Sequence, residues 1–122
     1  EMYEPQADSW QRVASMPRSL HMHAAAAMDG KLYVTGGHIE GSPVSSVCVY
    51  DPQANAWTQL ASMSTARRNH ASAAVGGKLY VFGGFDASEV FSTAEVYDLA
   101  SNSWAQVTSL TSARHSLRVV AL

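Results

Sequence analysis

The chain has 122 residues, 47% of them hydrophobic, and its 8 Lys and Arg against 10 Asp and Glu leave a formal net charge of -2. That balance argues against a nucleic-acid partner, and apolar runs such as Leu32 to Val34 and Leu79 to Phe82 stop far short of the roughly 20 residues needed to cross a bilayer, so no membrane segment is expected. Cys48 is the only cysteine, which rules out an internal disulfide, fits a reducing compartment and leads us to expect a cytoplasmic protein.

From the first residues, Glu1-Met2-Tyr3-Glu4-Pro5 has neither the basic region nor the apolar core of a signal peptide, so none is expected. Tyr3 to Val13 reads as the tail of a repeating unit. Met2-Tyr3-Glu4-Pro5 matches Val49-Tyr50-Asp51-Pro52, and Ser9-Trp10-Gln11-Arg12-Val13 matches Ala56-Trp57-Thr58-Gln59-Leu60, both at an offset of 47 residues. The same offset carries His23 onto His70, Tyr33 onto Tyr80, Gly36-Gly37 onto Gly83-Gly84, Tyr50-Asp51 onto Tyr97-Asp98 and Trp57 onto Trp104. Self-similarity at about 40 to 50 residues is the signature of a solenoid, a propeller or an array.

After a turn-rich connection, Ala14 to Ser19, each complete unit carries the signals of four short strands. His23 to Met28 and His70 to Val75 are small-residue runs, suited to a crowded place, and are expected innermost. Asp29-Gly30 and Gly76-Gly77 follow as tight hairpin connections. Lys31 to Thr35 and Lys78 to Phe82 are β-branched and aromatic runs bounded by glycine, and read as second strands. The pairs Gly36-Gly37 and Gly83-Gly84 suit positive φ or a close backbone approach that a Cβ would block.

Polar stretches with different sequences follow, His38 to Ser45 and Phe85 to Ser92, as loops on a fixed scaffold where binding residues tend to lie. Third strands are expected at Ser46 to Tyr50 and Thr93 to Tyr97, and fourth strands around Trp57 and Trp104. The divisions are therefore residues 1–13, the third and fourth strands of one unit; 21–60 and 68–107, two complete units; and 115–122, aligned with the first strand of a further one.

A four-stranded unit with an alanine-rich first strand, Gly-Gly after the second, and Tyr and Trp seven residues apart on the outer strands resembles the kelch repeat. The Tyr-to-Trp spacing is the same in Tyr3/Trp10, Tyr50/Trp57 and Tyr97/Trp104, and the resemblance covers essentially the whole chain. It implies an all-β fold, antiparallel four-stranded blades of a β-propeller forming an incomplete ring, with Trp10, Trp57, Trp104, Tyr50 and Tyr97 as packing residues in the wide outer part of each wedge. Burying roughly 200 Å² of indole is worth on the order of 5 kcal/mol as an upper bound. The ring would be completed by the remaining blades of a longer chain or by another copy.

The resemblance further implies a protein-interaction module, like the substrate-recognition propeller of BTB-kelch adaptors for cullin-type ubiquitin ligases. The other branches of the family are copper-oxidase or sugar-processing enzymes and actin-binding propellers. Peptide segments bind such propellers on the face formed by the loops leading into the first strand and the loops after Gly-Gly. By position that face holds His21, Met22, Arg68, Asn69, His115 and Ser116, with Glu40, Asp86 and Glu89 in the second set of loops.

Residues at 21/22, 68/69 and 115/116 differ between units while the flanking Met16 and Met63 repeat, as expected of a recognition surface. Arg67 and Arg114 are expected to stack around one end of the channel or to satisfy loop carbonyls between blades, although the first unit has Leu20 in their place. No metal, cofactor or catalytic group is expected. His23 and His70 occupy one repeated position and read as packing residues; His21 and His23, if extended, would face one side, but two imidazoles do not make a specific site. Cys48 lies in a third strand, where its counterparts in the other units are Glu95 and Glu1, and Glu40, Asp86 and Glu89 show no paired spacing for acid-base chemistry.

Overall fold

In the computed structural model, which describes residues 1–120, every regular element is a β-strand. A two-stranded ladder comes first, β1 (Met2–Glu4) with β2 (Ser9–Gln11). Then come β3 (Ala24–Met28), β4 (Lys31–Thr35), a small hairpin of β5 (His38–Ile39) and β6 (Ser42–Pro43), β7 (Val47–Asp51) and β8 (Ala56–Leu60). β9 (Ala71–Val75), β10 (Lys78–Phe82), β11 (Ala94–Asp98) and β12 (Ser103–Val107) repeat the plan. The two large sheets run β3-β4-β7-β8 and β9-β10-β11-β12, all antiparallel and open at both edges. This is the expected all-β architecture with the alanine-rich strands on the inside, since β3 of one sheet lies against β9 of the next.

Asp29-Gly30 and Gly76-Gly77 take positive φ at both residues, 52° and 72° in the first and 58° and 73° in the second. That is the backbone of a two-residue turn whose twist matches a hairpin. The loop after Gly36-Gly37, expected to be irregular, instead folds into the β5-β6 hairpin around Glu40-Gly41, again with positive φ at both positions, 46° and 89°. Of the expected strand at residues 115–122, residues 116–120 carry no ladder among the described residues, and Ala121 and Leu122 lie outside them. Leu117 to Val119 nevertheless lie beside His70, Ala71 and Ser72, the place of a third inner strand.

Apolar side chains from facing sheets fill the space between them. Met28, Tyr33 and Val49 from the first sheet close on Leu79 and Tyr97 from the second, with Trp104 at the margin. The tryptophans are only half-buried in both complete units, so the expected packing role is partial, and their indole nitrogens do the rest. Trp57 Nε1 donates to the Ala14 carbonyl (2.8 Å) while Asn55 Oδ1 accepts from the Ala14 N–H (2.8 Å) and from the Tyr50 hydroxyl (2.8 Å). One unit later the same latch recurs: Trp104 to the Ala61 carbonyl (2.8 Å), Asn102 Oδ1 from the Ala61 N–H (3.0 Å) and from Tyr97 (2.7 Å). Each blade thus grips both polar groups of one residue in the connection leaving the blade before it.

Gly-Gly makes the close approach expected of it. Gly37 N–H donates to the Arg67 carbonyl and Gly84 N–H to the Arg114 carbonyl, joining each blade to the next (2.9 and 2.7 Å). A Cβ on Gly83 would stand 2.5 Å from the Arg114 carbonyl oxygen, a distance that real side chains do not tolerate.

Candidate functional site

The residues expected to bind a partner are set on two kinds of loop. Arg68 and Phe85 pair their backbones in both directions at 3.0 Å, which fixes the lead-in loop against the loop after Gly-Gly. One unit earlier His21 and His38 form the equivalent bridge. Met22, Asn69 and Ser116 share a left-handed backbone, with φ of 58°, 51° and 54°. Their amides run from unit to unit: Asn69 N–H donates to the Met22 carbonyl (2.9 Å) and Ser116 N–H to the Asn69 carbonyl (2.7 Å). The backbone of this rim repeats while its side chains change, so His21, Met22, Arg68, Asn69, His115 and Ser116 do lie on one continuous arc.

The left-handed turn at Met22 breaks the extended geometry that would have put His21 and His23 on one side. His21 turns to His38 instead, ring nitrogen to ring nitrogen at 3.1 Å, while burial holds His23 below the usual imidazole range. His70 packs as expected: its Nε2 meets the Thr35 hydroxyl at 2.8 Å. Burial, then the nearby Arg67 charge, push its pKa down to about 3 and keep it neutral.

Arg67 does not reach the rim. Its guanidinium is sealed inside the second blade, donating to the Gly83 carbonyl (2.7 Å), the Thr93 carbonyl (3.2 Å) and Glu95 Oε2 (2.9 Å), so it satisfies loop carbonyls and meets an internal carboxylate. The sequence signal for that pair was present in two separate departures: where the second unit has Arg67 and Glu95, the first has Leu20 and Cys48, two ions exchanged together for two apolar groups. Cys48 is buried in that apolar setting, which raises its thiol pKa. Arg114, exposed, bonds the Ser112 hydroxyl at 3.3 Å.

The Arg68 guanidinium carbon lies over the Phe85 ring, 4.6 Å from the ring centre, and His115 meets the same ring edge-on at 5.1 Å. Phe85 and His38 were not among the expected residues. The available signal was their shared place directly after Gly-Gly and their shared aromaticity. No acid pairs with Arg68 among the described residues, and its Nε is buried without a partner. The loop carboxylates are disposed differently. Asp86 caps its own loop, accepting from the Ser88 and Glu89 amides at 2.7 and 3.0 Å, and those bonds hold its carboxyl below the usual range. Glu89 is exposed beside it, and Glu40 stands at the hairpin tip next to Arg18 and Ser19.

Radially related four-stranded antiparallel sheets, latched blade to blade and carrying a variable rim on an invariant backbone, define a segment of a kelch-type β-propeller. The chain belongs to the kelch-repeat family: it matches the KLHDC2/KLHL20/DRC7 Kelch-repeats domain over residues 2–121. Domains of this family are generally protein-binding modules. A search of curated proteins gave no match.

Proposed function

We propose that this chain is a protein-interaction module that holds an extended, acidic segment of a partner protein on the face formed by the lead-in loops and the loops after Gly-Gly. The observation that carries this reading is the Arg68 guanidinium over the Phe85 ring at 4.6 Å with no acid paired to it among the described residues. Stacking fixes the side chain before a partner arrives, so binding need not meet the full entropy of ordering it. A charge-assisted bond from such a group to a carboxylate contributes about 1.5 to 3 kcal/mol where water is excluded.

The test is binding of acidic and neutral peptide arrays to the protein and to its Arg68→Ala variant, with melting temperature measured alongside. We expect acidic peptides to be selected and their affinity to fall about 10- to 100-fold in the variant, corresponding to the energy above, at nearly constant melting temperature. Unchanged affinity with a lowered melting temperature would assign Arg68 to the scaffold. By family resemblance we infer the finer role of substrate recognition for a cullin-type ubiquitin ligase. Failure of the whole protein to co-precipitate a cullin would remove that role and leave the binding face untouched.

A further inference from the structure

We propose that His21 and His38 chelate one divalent transition-metal ion on the rim, through His21 Nε2 and His38 Nδ1. These two nitrogens already face each other at 3.1 Å, with ring centres 4.8 Å apart and ring planes inclined at 66°. Metal–nitrogen bonds of about 2.0 to 2.1 Å separate two ligating nitrogens by about 2.9 Å at a right angle and about 3.4 Å at the tetrahedral angle. The pair falls between those limits, so the rings need only turn towards a common point.

The backbone holds both rings in place beforehand. His21 and His38 are opposed in an antiparallel bridge, the His21 N–H on the His38 carbonyl at 3.4 Å and the His38 N–H on the His21 carbonyl at 2.9 Å. Side chains directly opposed across such a bridge stand on the same face, as neighbours. Gly37 comes in so close that a Cβ on it would stand 2.9 Å from the His21 carbonyl oxygen, which keeps the lead-in loop against the β5-β6 hairpin. His38 is buried at the base of that hairpin while His21 is exposed, so one ligand is anchored in the scaffold and the other opens to solvent. A chelator held in this way meets little of the ordering cost of binding.

The second unit shows that the scaffold does not require imidazoles here. Its bridge carries Arg68 and Phe85 at the same two positions, where Arg68 brings a permanent charge. A metal ion between His21 and His38 gives the first unit a cation at the matching place on the arc. Imidazole nitrogen suits zinc, copper and nickel, whereas magnesium and calcium seek oxygen. With both rings neutral, one facing nitrogen donates to the other; on metal binding that ring's proton moves to its other nitrogen, and both facing lone pairs go to the ion. Two imidazoles do not fill a coordination shell, and no group of three or more His, Cys, Asp or Glu forms among the described residues. The remaining positions fall to water or to a donor side chain of a protein bound on this face, which makes the site open rather than structural. The proposal stands apart from what else the rim binds.

Zn²⁺ titration of the whole protein without an affinity tag, by calorimetry, tests this, with Mg²⁺ as the control and melting temperature measured alongside. We expect a saturable Zn²⁺ site that raises the melting temperature, is emptied by EDTA and is not filled by Mg²⁺. His21→Ala and His38→Phe each remove one ligand, and the second installs the residue that the next unit has at that position, Phe85. Either should weaken the site at least about ten-fold, the smallest loss expected even of a group that only supports a metal ligand. His23→Ala and His115→Ala should leave it unchanged. Absence of a saturable Zn²⁺ site, equal Zn²⁺ affinity in the parent and in both ligand variants, or a loss in His23→Ala as large as that in His21→Ala would each overturn the proposal.

Discussion

Arg67 and Glu95 form an ion pair at 2.9 Å with both side chains sealed from solvent. Glu95 uses its second oxygen to accept from the Ser64 amide and hydroxyl, at 2.8 and 2.7 Å, while Arg67 also holds the carbonyls of Gly83 and Thr93. The pair therefore ties the lead-in loop to both ends of the loop that carries Phe85. A buried pair gains little from its own Coulomb attraction, since desolvation offsets most of it, but removing one partner strands a charge.

Glu95→Ala should accordingly cost about 3 to 5 kcal/mol of stability. The double change Arg67→Leu with Glu95→Cys installs the pair that the first unit has at Leu20 and Cys48. It should cost less than the two single changes summed, with a coupling of about 2 kcal/mol or more in a double-mutant cycle by urea denaturation. Additive losses would mean that the two side chains stabilise the blade independently.

A second prediction concerns the latch. Asn55 serves as an acceptor twice, from Tyr50 and from Ala14, and sits at a φ of 48° that Asn and Asp tolerate. Asp8 holds the same position in the first unit. Asn55→Asp should therefore change stability by less than about 0.5 kcal/mol, whereas Asn55→Ala, which leaves the Ala14 amide unpaired and keeps the strained φ, should cost about 2 kcal/mol. Thermal melts of the two variants decide it.

The fold was legible because its signals repeat. Tyr80, Gly83-Gly84 and Trp104 each mean little alone, but their copies at Tyr33, Gly36-Gly37 and Trp57 in unbroken register leave few architectures open. The rim was legible as a set of positions, since Met22, Asn69 and Ser116 differ between otherwise matching units. Its chemistry was not. Whether an arginine faces water or a buried acid depends on a partner 28 residues away, and nothing local separates Arg67 from Arg68. The partner showed only in the joint exchange of Leu20 and Cys48.

A third prediction separates two kinds of glycine. Gly84 has a φ of 86°, and a Cβ there would meet the Arg68 carbonyl oxygen at 2.7 Å and His70 Cβ at 2.8 Å. Gly76, at 58°, has nothing within 4 Å of such an atom. Gly76→Ala should cost only the left-handed backbone penalty, about 1 kcal/mol. Gly84→Ala must also push the loops apart at the base of the Arg68–Phe85 bridge. It should cost at least about twice as much, and should loosen the acidic-peptide binding proposed for this face, which Gly76→Ala should leave alone. Equal losses in the two variants would show that the close backbone approach at Gly84 adds no constraint.

The fourth prediction is a pH dependence. His70 is 5% exposed, its Nε2 is engaged by Thr35, and its Nδ1 has no partner, so the folded protein has nothing with which to stabilise an added proton. Burial and the Arg67 charge set its folded pKa at about 3, while the unfolded chain returns it to the ordinary imidazole value of 6.5. Between these values the unfolded state binds a proton that the folded state refuses, so protonation favours unfolding. His70's contribution is thus fully present above pH 6.5 and is lost progressively as pH falls toward 3. By about pH 5 the loss is about 2 kcal/mol, at roughly 1.36 kcal/mol per pH unit. Asp51 and Asp86, whose folded carboxyls are held below their usual range, add their own losses, but only as the pH falls below about 5, where unfolded carboxylates begin to protonate. The melting temperature should therefore begin to fall near pH 6.5, above the carboxylate window, and His70→Asn should make that upper part of the profile shallower, with the lowered imidazole of His23 keeping its own share of it, while leaving the lower part in place. A profile of His70→Asn parallel to the parent's between about pH 5 and 6.5 would show that His70 takes up its proton in the folded blade.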